Sequence, residues 1–235
     1  MSHSLYLWIE KVRPEGCTFS EQARHLWDKL PATPENKAYL DELSRTSQPF
    51  PVRAQRLTAL ECLLKTLEHV CPHLIPHTNL KRDQSKRPWI SLSCASAHSV
   101  SFSLTHTESL AACALTTCDN SIGVDIEALV PIERAIRISQ RFFTPQEQAK
   151  SQVSEKLVST AVTRIWTAKE ALFKCGGYTA LTACDSTILP ADYSLLSYET
   201  LQSQSLLSVV APRDCLPPKI LSSPAPLSYI TCDKG

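Results

Sequence analysis

Residues 122–127 read IGVDIE, and two carboxylates, Asp125 and Glu127, stand inside a run that otherwise has the composition of a buried strand. On a strand successive side chains alternate, so Gly123, Asp125 and Glu127 share one face while Ile122, Val124 and Ile126 share the other. The apolar trio is expected to pack against a core. The two acids raise each other's pKa unless a cation lies between them, and hard divalent ions such as Mg2+ take carboxylate oxygens and water. A solvated edge strand carrying two acids for solubility fits the same six residues.

The chain around this stretch has 235 residues, 43% hydrophobic and 20% charged, which suits one large domain or two small ones. A formal net charge of +1 and a pI near 7.6 provide no overall field that would favour nucleic acid or an anionic membrane. Ten cysteines occur with no C-x-x-C pair, and Cys62 and Cys113 lie inside apolar segments. The expectation is buried thiols in a reducing compartment, with Cys acting as a small hydrophobe. The start, MSHSLYLWIEK, has no basic stretch leading into an apolar one, and no run of eighteen apolar residues occurs. A cytoplasmic protein is expected.

LYLWI reads as a strand, a helix is expected over about 20–30, and proline and polar residues dominate from Pro31 to Pro51. Residues 52–70 place Leu57, Leu60, Leu64 and Leu67 at helical spacing, with Arg53, Arg56 and Lys65 between them. CPHLIPHTNLKRDQSKRPWI reads as a linker. Residues 100–118 alternate as a hairpin turning at THTES, and Pro131 opens a further helix. Thr144, Pro145 and Glu147 form a helix-start signature of N-cap, first-position proline and capping-box glutamate. Residues 157–177 read as a long helix ending at Gly176-Gly177, and short strands follow between Pro and Ser turns. Element order thus predicts an α+β chain of two similar halves, 1–118 and 119–235.

Within the long helix, Trp166, Lys169, Glu170, Phe173 and Lys174 fall at i, i+3, i+4, i+7 and i+8. Glu170 and Lys174 could be a simple i,i+4 pair beside a core stripe of Trp and Phe. The charges nevertheless share the stripe with the aromatics, a placement expected where a helix faces a cleft.

GVDIE followed about forty residues later by WTAKEALFK resembles the paired signature of the 4′-phosphopantetheinyl transferases, in the surfactin-synthetase-activating subgroup. RFFTPQE, the TH of FSLTH and RPW extend the likeness, which covers about residues 86–185. The resemblance implies two α+β halves related by an internal pseudo-twofold, each a small antiparallel sheet packed on a long helix, with the active site where the halves meet. It also implies transfer of the phosphopantetheine arm of coenzyme A to a serine of an acyl or peptidyl carrier protein, an activity of the holo-acyl-carrier-protein synthase type. Asp125, Glu127 and Glu170 match the acids that hold Mg2+ against the pyrophosphate. Glu170 is further assigned as the base, directly or through a metal-bound water, and Lys174 as a pyrophosphate contact.

His106 matches a phosphate-contacting histidine, preceded here by Thr105 in place of the usual serine. Arg87, beside Pro88, stands where lysine is usual and could bind the 3′-phosphate, with Lys86 an equal candidate. Arg53 and Arg56 resemble a basic pair near the nucleotide; a solvated helix face fits them as well. Arg134, Arg137 and Arg141, on one helix face, are candidates for steering an acidic carrier. A monomer is expected. The alternatives are an adapter of the same fold that binds coenzyme A or carrier without turnover, and a Mg2+-dependent phosphohydrolase, which the lack of further acids or histidines at ligand spacing disfavours.

Overall fold

The computed structural model describes residues 4–13, 21–43, 49–84, 87–93, 99–152, 155–176, 178–200, 204–224 and 227–230. Lys86, Cys17, Cys94, Cys232 and Gly177 lie outside the described residues. The chain divides into two compact units, Met1–Asn120 with Pro217–Pro224, and Ser121–Leu216 with Ala225–Gly235.

In the first unit, strand β1 (Leu5–Lys11) buries every second residue, with Leu5, Leu7 and Ile9 wholly enclosed. Helices α1 (Glu21–Asp28), α2 (Pro34–Leu43) and α3 (Phe50–Val70) follow, and then a 3-10 turn at Pro72–His77. Next come strands β2 (Thr78–Arg82), β3 (Pro88–Leu92), β4 (Ser101–His106) and β5 (Leu110–Thr116). Strand β9 (Lys219–Ser222), far along the chain, completes a sheet of order β4-β5-β1-β9. Its pairings are antiparallel except for β1 with β9, which run parallel.

Helix α3 starts with Pro51 in its first turn and ends where the Cys71 N–H donates to Leu67 O, just before Pro72. Leu57, Leu60, Leu64 and Leu67 are buried as the spacing predicts, and each contributes about 1.5–3 kcal/mol relative to exposure. Strand β5 is buried throughout, and its small residues let α3 come close enough for the Cys62 thiol to donate to Ala111 O at 3.6 Å. At the edge of this core, Lys65 bridges Glu10 at 2.6 Å and Glu61 at 3.0 Å, tying α3 to β1.

Two stretches depart from the sequence reading. The segment read as a linker folds into the β2–β3 hairpin, closed by Asp83 Oδ1 accepting the Arg87 N–H at 2.8 Å. The Pro-rich stretch before α3 contains α2, whose buried Asn36 accepts the Leu80 N–H at 2.7 Å and donates to Thr78 O at 3.0 Å. One amide side chain thereby satisfies backbone groups of β2 that lie beyond its pairing with β3.

The second unit contains β6 (Gly123–Ala128), helices α4 (Ile132–Phe142), α5 (Pro145–Ser151) and α6 (Glu155–Cys175), and strands β7 (Tyr193–Thr200), β8 (Ser205–Pro212) and β10 (Leu227–Ile230). Its sheet is antiparallel with order β10-β7-β8-β6, and the central β8 is buried along its whole length. Helix α6 packs on β6 and β8 and is fastened by a Thr167 Oγ1 to Ser208 Oγ hydrogen bond of 2.8 Å. Gly176 ends it at a φ of 107°, in the left-handed region. Thr144 caps α5 as its signature predicts: the hydroxyl accepts the Glu147 N–H, and the Glu147 carboxylate accepts the Thr144 N–H.

The result is α+β in both units, each pairing a four-stranded sheet with a helix of 21 residues. Cys62, Cys71, Cys113, Cys118, Cys175, Cys184 and Cys215 are buried and remain thiols. Among the described residues no helix is long and apolar enough to cross a membrane.

Candidate active site

Strand β6 lies at the edge of its sheet, yet Gly123, Val124, Asp125 and Ile126 are all buried. A Cβ at Gly123 would stand 1.8 Å from Ala171 O and 2.8 Å from Cys175 N, so the missing side chain lets β6 lie directly against the last turns of α6. Alternation then turns Asp125 and Glu127 toward the same helix.

Both acids meet residues of the WTAKEALFK stretch. Lys174 Nζ donates to Asp125 Oδ1 at 2.7 Å and to Val124 O at 3.3 Å. Asp125 Oδ2 is buried and makes no hydrogen bond. Trp166 Nε1 donates to Glu127 Oε1 at 3.2 Å, with the indole held by the Phe142 ring at a centroid distance of 5.2 Å. The i,i+4 steps from Trp166 to Glu170 to Lys174 therefore put all three on the side of α6 that faces β6.

Glu170, partly buried between Trp166 and Lys174, has its carboxyl pushed up to about 7. Burial is the main cause; the Asp125 charge adds to it, Lys174 opposes it and Glu127 adds a little more. Glu127 is likewise raised by burial and by Asp125, against the Trp166 hydrogen bond and the charges of Arg134 and Lys174. Three carboxylates therefore feel one another in a half-buried place, which favours either protonation or a nearby cation.

The five-residue stripe expected to face a cleft splits in two. Lys169 turns the other way and is fully buried, donating to Glu147 Oε2 at 2.9 Å and to Cys184 O. Glu147 Oε1 in turn accepts the N–H and the hydroxyl of Ser186, each at 2.8 Å. Phe173 packs with Cys184 and Val210. The simple i,i+4 pairing of Lys174 is replaced by the contact with Asp125.

The remaining candidates belong to the first unit. Arg53 and Arg56 sit in the opening turns of α3, and Arg53 Nε is buried with no hydrogen-bond partner. Tyr39 is held above its ordinary pKa by burial, with Arg82 and Arg56 opposing, so these two arginines share a neighbourhood. Arg82, which the sequence reading did not single out, stacks 4.9 Å from the Tyr39 ring centre and bonds Glu42 at 3.1 Å. Arg87 closes the β2–β3 hairpin through its backbone. Thr105 is buried opposite Ala112, and His106 is half-buried opposite Ala111 at the end of β4.

The decisive comparison concerns the second unit. Residues 121–195 match the 4′-phosphopantetheinyl transferase superfamily. The matched segment runs from just before β6 through α6 to the start of β7, and so contains every residue of the acid cluster. A protein of Synechocystis sp., provisionally named as a 4′-phosphopantetheinyl transferase, is 31% identical over 102 residues, which is 43% of this chain. The chain spans 40% of that relative's length. The resemblance carried by GVDIE and WTAKEALFK is thereby shown.

Among the described residues no group of three or more His, Cys, Asp or Glu side chains is arranged so that it could by itself hold a metal ion. The chemistry of the donors is that of Mg2+ ligands, because all three acids supply hard oxygen and, after burial, neighbouring carboxylate charge raises Glu127 and Glu170. An ion that keeps waters and borrows phosphate oxygens from its substrate needs an open cluster and no complete protein cage.

Proposed function

We propose that this chain transfers the 4′-phosphopantetheine moiety of coenzyme A to a serine hydroxyl of an acyl or peptidyl carrier protein, releasing adenosine 3′,5′-bisphosphate. The observation that carries the reading is the meeting of Asp125 and Glu127 on β6 with Glu170 and Lys174 on α6, inside the segment that matches the superfamily.

In the reaction the serine oxygen forms a bond to the phosphorus attached to pantetheine, and the pyrophosphate P–O bond breaks with its electrons leaving on the bisphosphate. Glu170 accepts the serine proton; its value of about 7 belongs to the metal-free cluster, and a cation beside it would favour the ionised form that takes the proton. Lys174, on a flexible stem, reaches the pyrophosphate oxygens. Asp125, Glu127 and Glu170 would hold Mg2+, which when bound supplies positive charge to the pyrophosphate. Trp166 holds Glu127 in orientation through its indole N–H.

Arg53, Arg56, Lys86, Arg87, Thr105 and His106 are proposed as coenzyme A contacts on the resemblance. The same reading makes the chain a cytoplasmic monomer. For the carrier, α4 exposes Arg134, Arg137 and Arg141 together with Ile132 and Ile136, which are 42% and 47% exposed. Basic and apolar side chains interleaved on one exposed helix suit an acidic helical partner.

The test is a panel of apo acyl and peptidyl carriers incubated with coenzyme A and Mg2+. Adenosine 3′,5′-bisphosphate must appear, and Glu170→Gln must abolish it with the fold retained. Binding of coenzyme A without product across the panel would favour an adapter.

A further inference from the structure

We infer that Lys174 is the resident counter-cation of the acid cluster: its ammonium and a divalent metal compete for Asp125, so that metal binding releases Lys174 toward the incoming pyrophosphate. The inference rests on the function proposed above and concerns what Lys174 does before coenzyme A arrives.

The ammonium donates two of its three hydrogens to β6, at 2.7 Å to Asp125 Oδ1 and at 3.3 Å to Val124 O. Asp125 is nearly enclosed, with 7% of its side chain exposed, so its charge is poorly screened and the ammonium lying against it is favourable. Lys174 keeps 29% of its side chain exposed, and its stem is free to swing without leaving α6. The positive charge that a metal would bring to the carboxylates is thus supplied from within the chain in the absence of metal. A divalent ion on Asp125 would place two and one positive charges on a single carboxylate, a repulsion that strengthens as water is excluded. The favourable outcome is exchange, with the metal on Asp125 and Lys174 on phosphate. Lys174 then has two partners in sequence, and only the second belongs to the catalytic complex.

The test measures metal affinity without coenzyme A. Metal-free wild type, Lys174→Ala and Lys174→Gln are titrated with Mn2+, read by electron paramagnetic resonance and calorimetry, with circular dichroism to check the fold. Lys150→Ala removes the same charge from the exposed face of α5 as a control. Both Lys174 variants are expected to bind Mn2+ roughly five-fold tighter than wild type while Lys150→Ala is unchanged, the size typical of a partly exposed ion pair. Equal or weaker binding in the Lys174 variants overturns the competition and leaves the metal reading standing. Absence of Mn2+ binding in wild type and variants alike overturns both.

A second measurement needs no substitution. Adding Mg2+ to the wild type should speed acylation of Lys174 by an amine-reactive reagent several-fold, read by peptide mass spectrometry, with Lys150 unchanged. Identical Lys174 labelling with and without Mg2+, at concentrations where Mn2+ binding is seen, overturns the exchange.

Discussion

Lys169 Nζ lies 2.9 Å from Glu147 Oε2, and neither side chain is reached by solvent. The adjacent residue on the same helix, Glu170, turns instead toward the acids of β6 and feels their charge. A buried ion pair thus fixes the rotation of α6 about its axis, and the same rotation aims Glu170. The pair reaches three elements at once, since Glu147 also completes the cap of α5 and accepts two hydrogen bonds from Ser186.

Lys169→Met leaves Glu147 buried without its cation and should cost about 3–5 kcal/mol of stability. Urea unfolding measures it, and adding Glu147→Gln tests the coupling. The second change should cost less in the Lys169→Met background than in wild type, and strict additivity would show that the two groups do not act as a pair.

Gly123→Ala should destabilise by at least about 2 kcal/mol, because the new methyl meets backbone of α6, which cannot step aside as a side chain could. The same change should lower transferase activity in whatever fraction remains folded, since it pushes Asp125 away from Lys174. A stable variant with full activity would mean that the close approach of β6 to α6 does not position the acids.

The pH dependence of stability follows from Glu170. Its folded-state value is raised from the ordinary 4.5 to about 7, so the folded protein holds the proton more tightly than the unfolded chain. The associated stability is present below about pH 4.5 and is lost as pH rises through about 7, on the order of 2 kcal/mol. Thermal melts of metal-free wild type and Glu170→Gln between pH 4.5 and 8 should therefore diverge, with the variant gaining relative to wild type as pH rises. Parallel curves would show that Glu170 does not carry the charge repulsion.

Arg137→Glu should raise the KM for an acidic carrier roughly ten-fold and leave the KM for coenzyme A unmoved, since the side chain is exposed on α4. The difference should shrink at high ionic strength. An unchanged carrier KM at low salt would remove α4 from the docking surface.

Much of the second unit was legible in advance because its signals are local. Alternation in IGVDIE, the capping box at Thr144 and the Gly-marked end of α6 each lie within a few residues of the feature they specify. The split between Lys169 and Glu170 was not legible: both lie on an arc that spacing alone treats as one stripe, and the buried partners Glu147, 22 residues away, and Cys184 O turn Lys169 aside. The β2–β3 hairpin was hidden by its prolines and lysines, and α2 has few apolar residues to show a period. Pro34 followed by Glu35 is a helix-start signal that could have revealed α2. Asn36 reaches across 42 residues to Thr78, a contact that leaves no local pattern. Arg82 lies within a run of basic residues, and its stacking on Tyr39 and its pairing with Glu42 distinguish it.

The central claim is that Asp125, Glu127 and Glu170 serve phosphopantetheine transfer. It is tested most directly by the intact mass of an apo carrier protein after incubation with coenzyme A, Mg2+ and either wild type or folded Asp125→Ala. The account predicts that wild type adds one phosphopantetheine group to the carrier serine, and that Asp125→Ala or an excess of chelator abolishes the addition. A wild-type protein that leaves every apo carrier in an acyl and peptidyl panel unmodified, or an Asp125→Ala variant that modifies them at the wild-type rate, would contradict it.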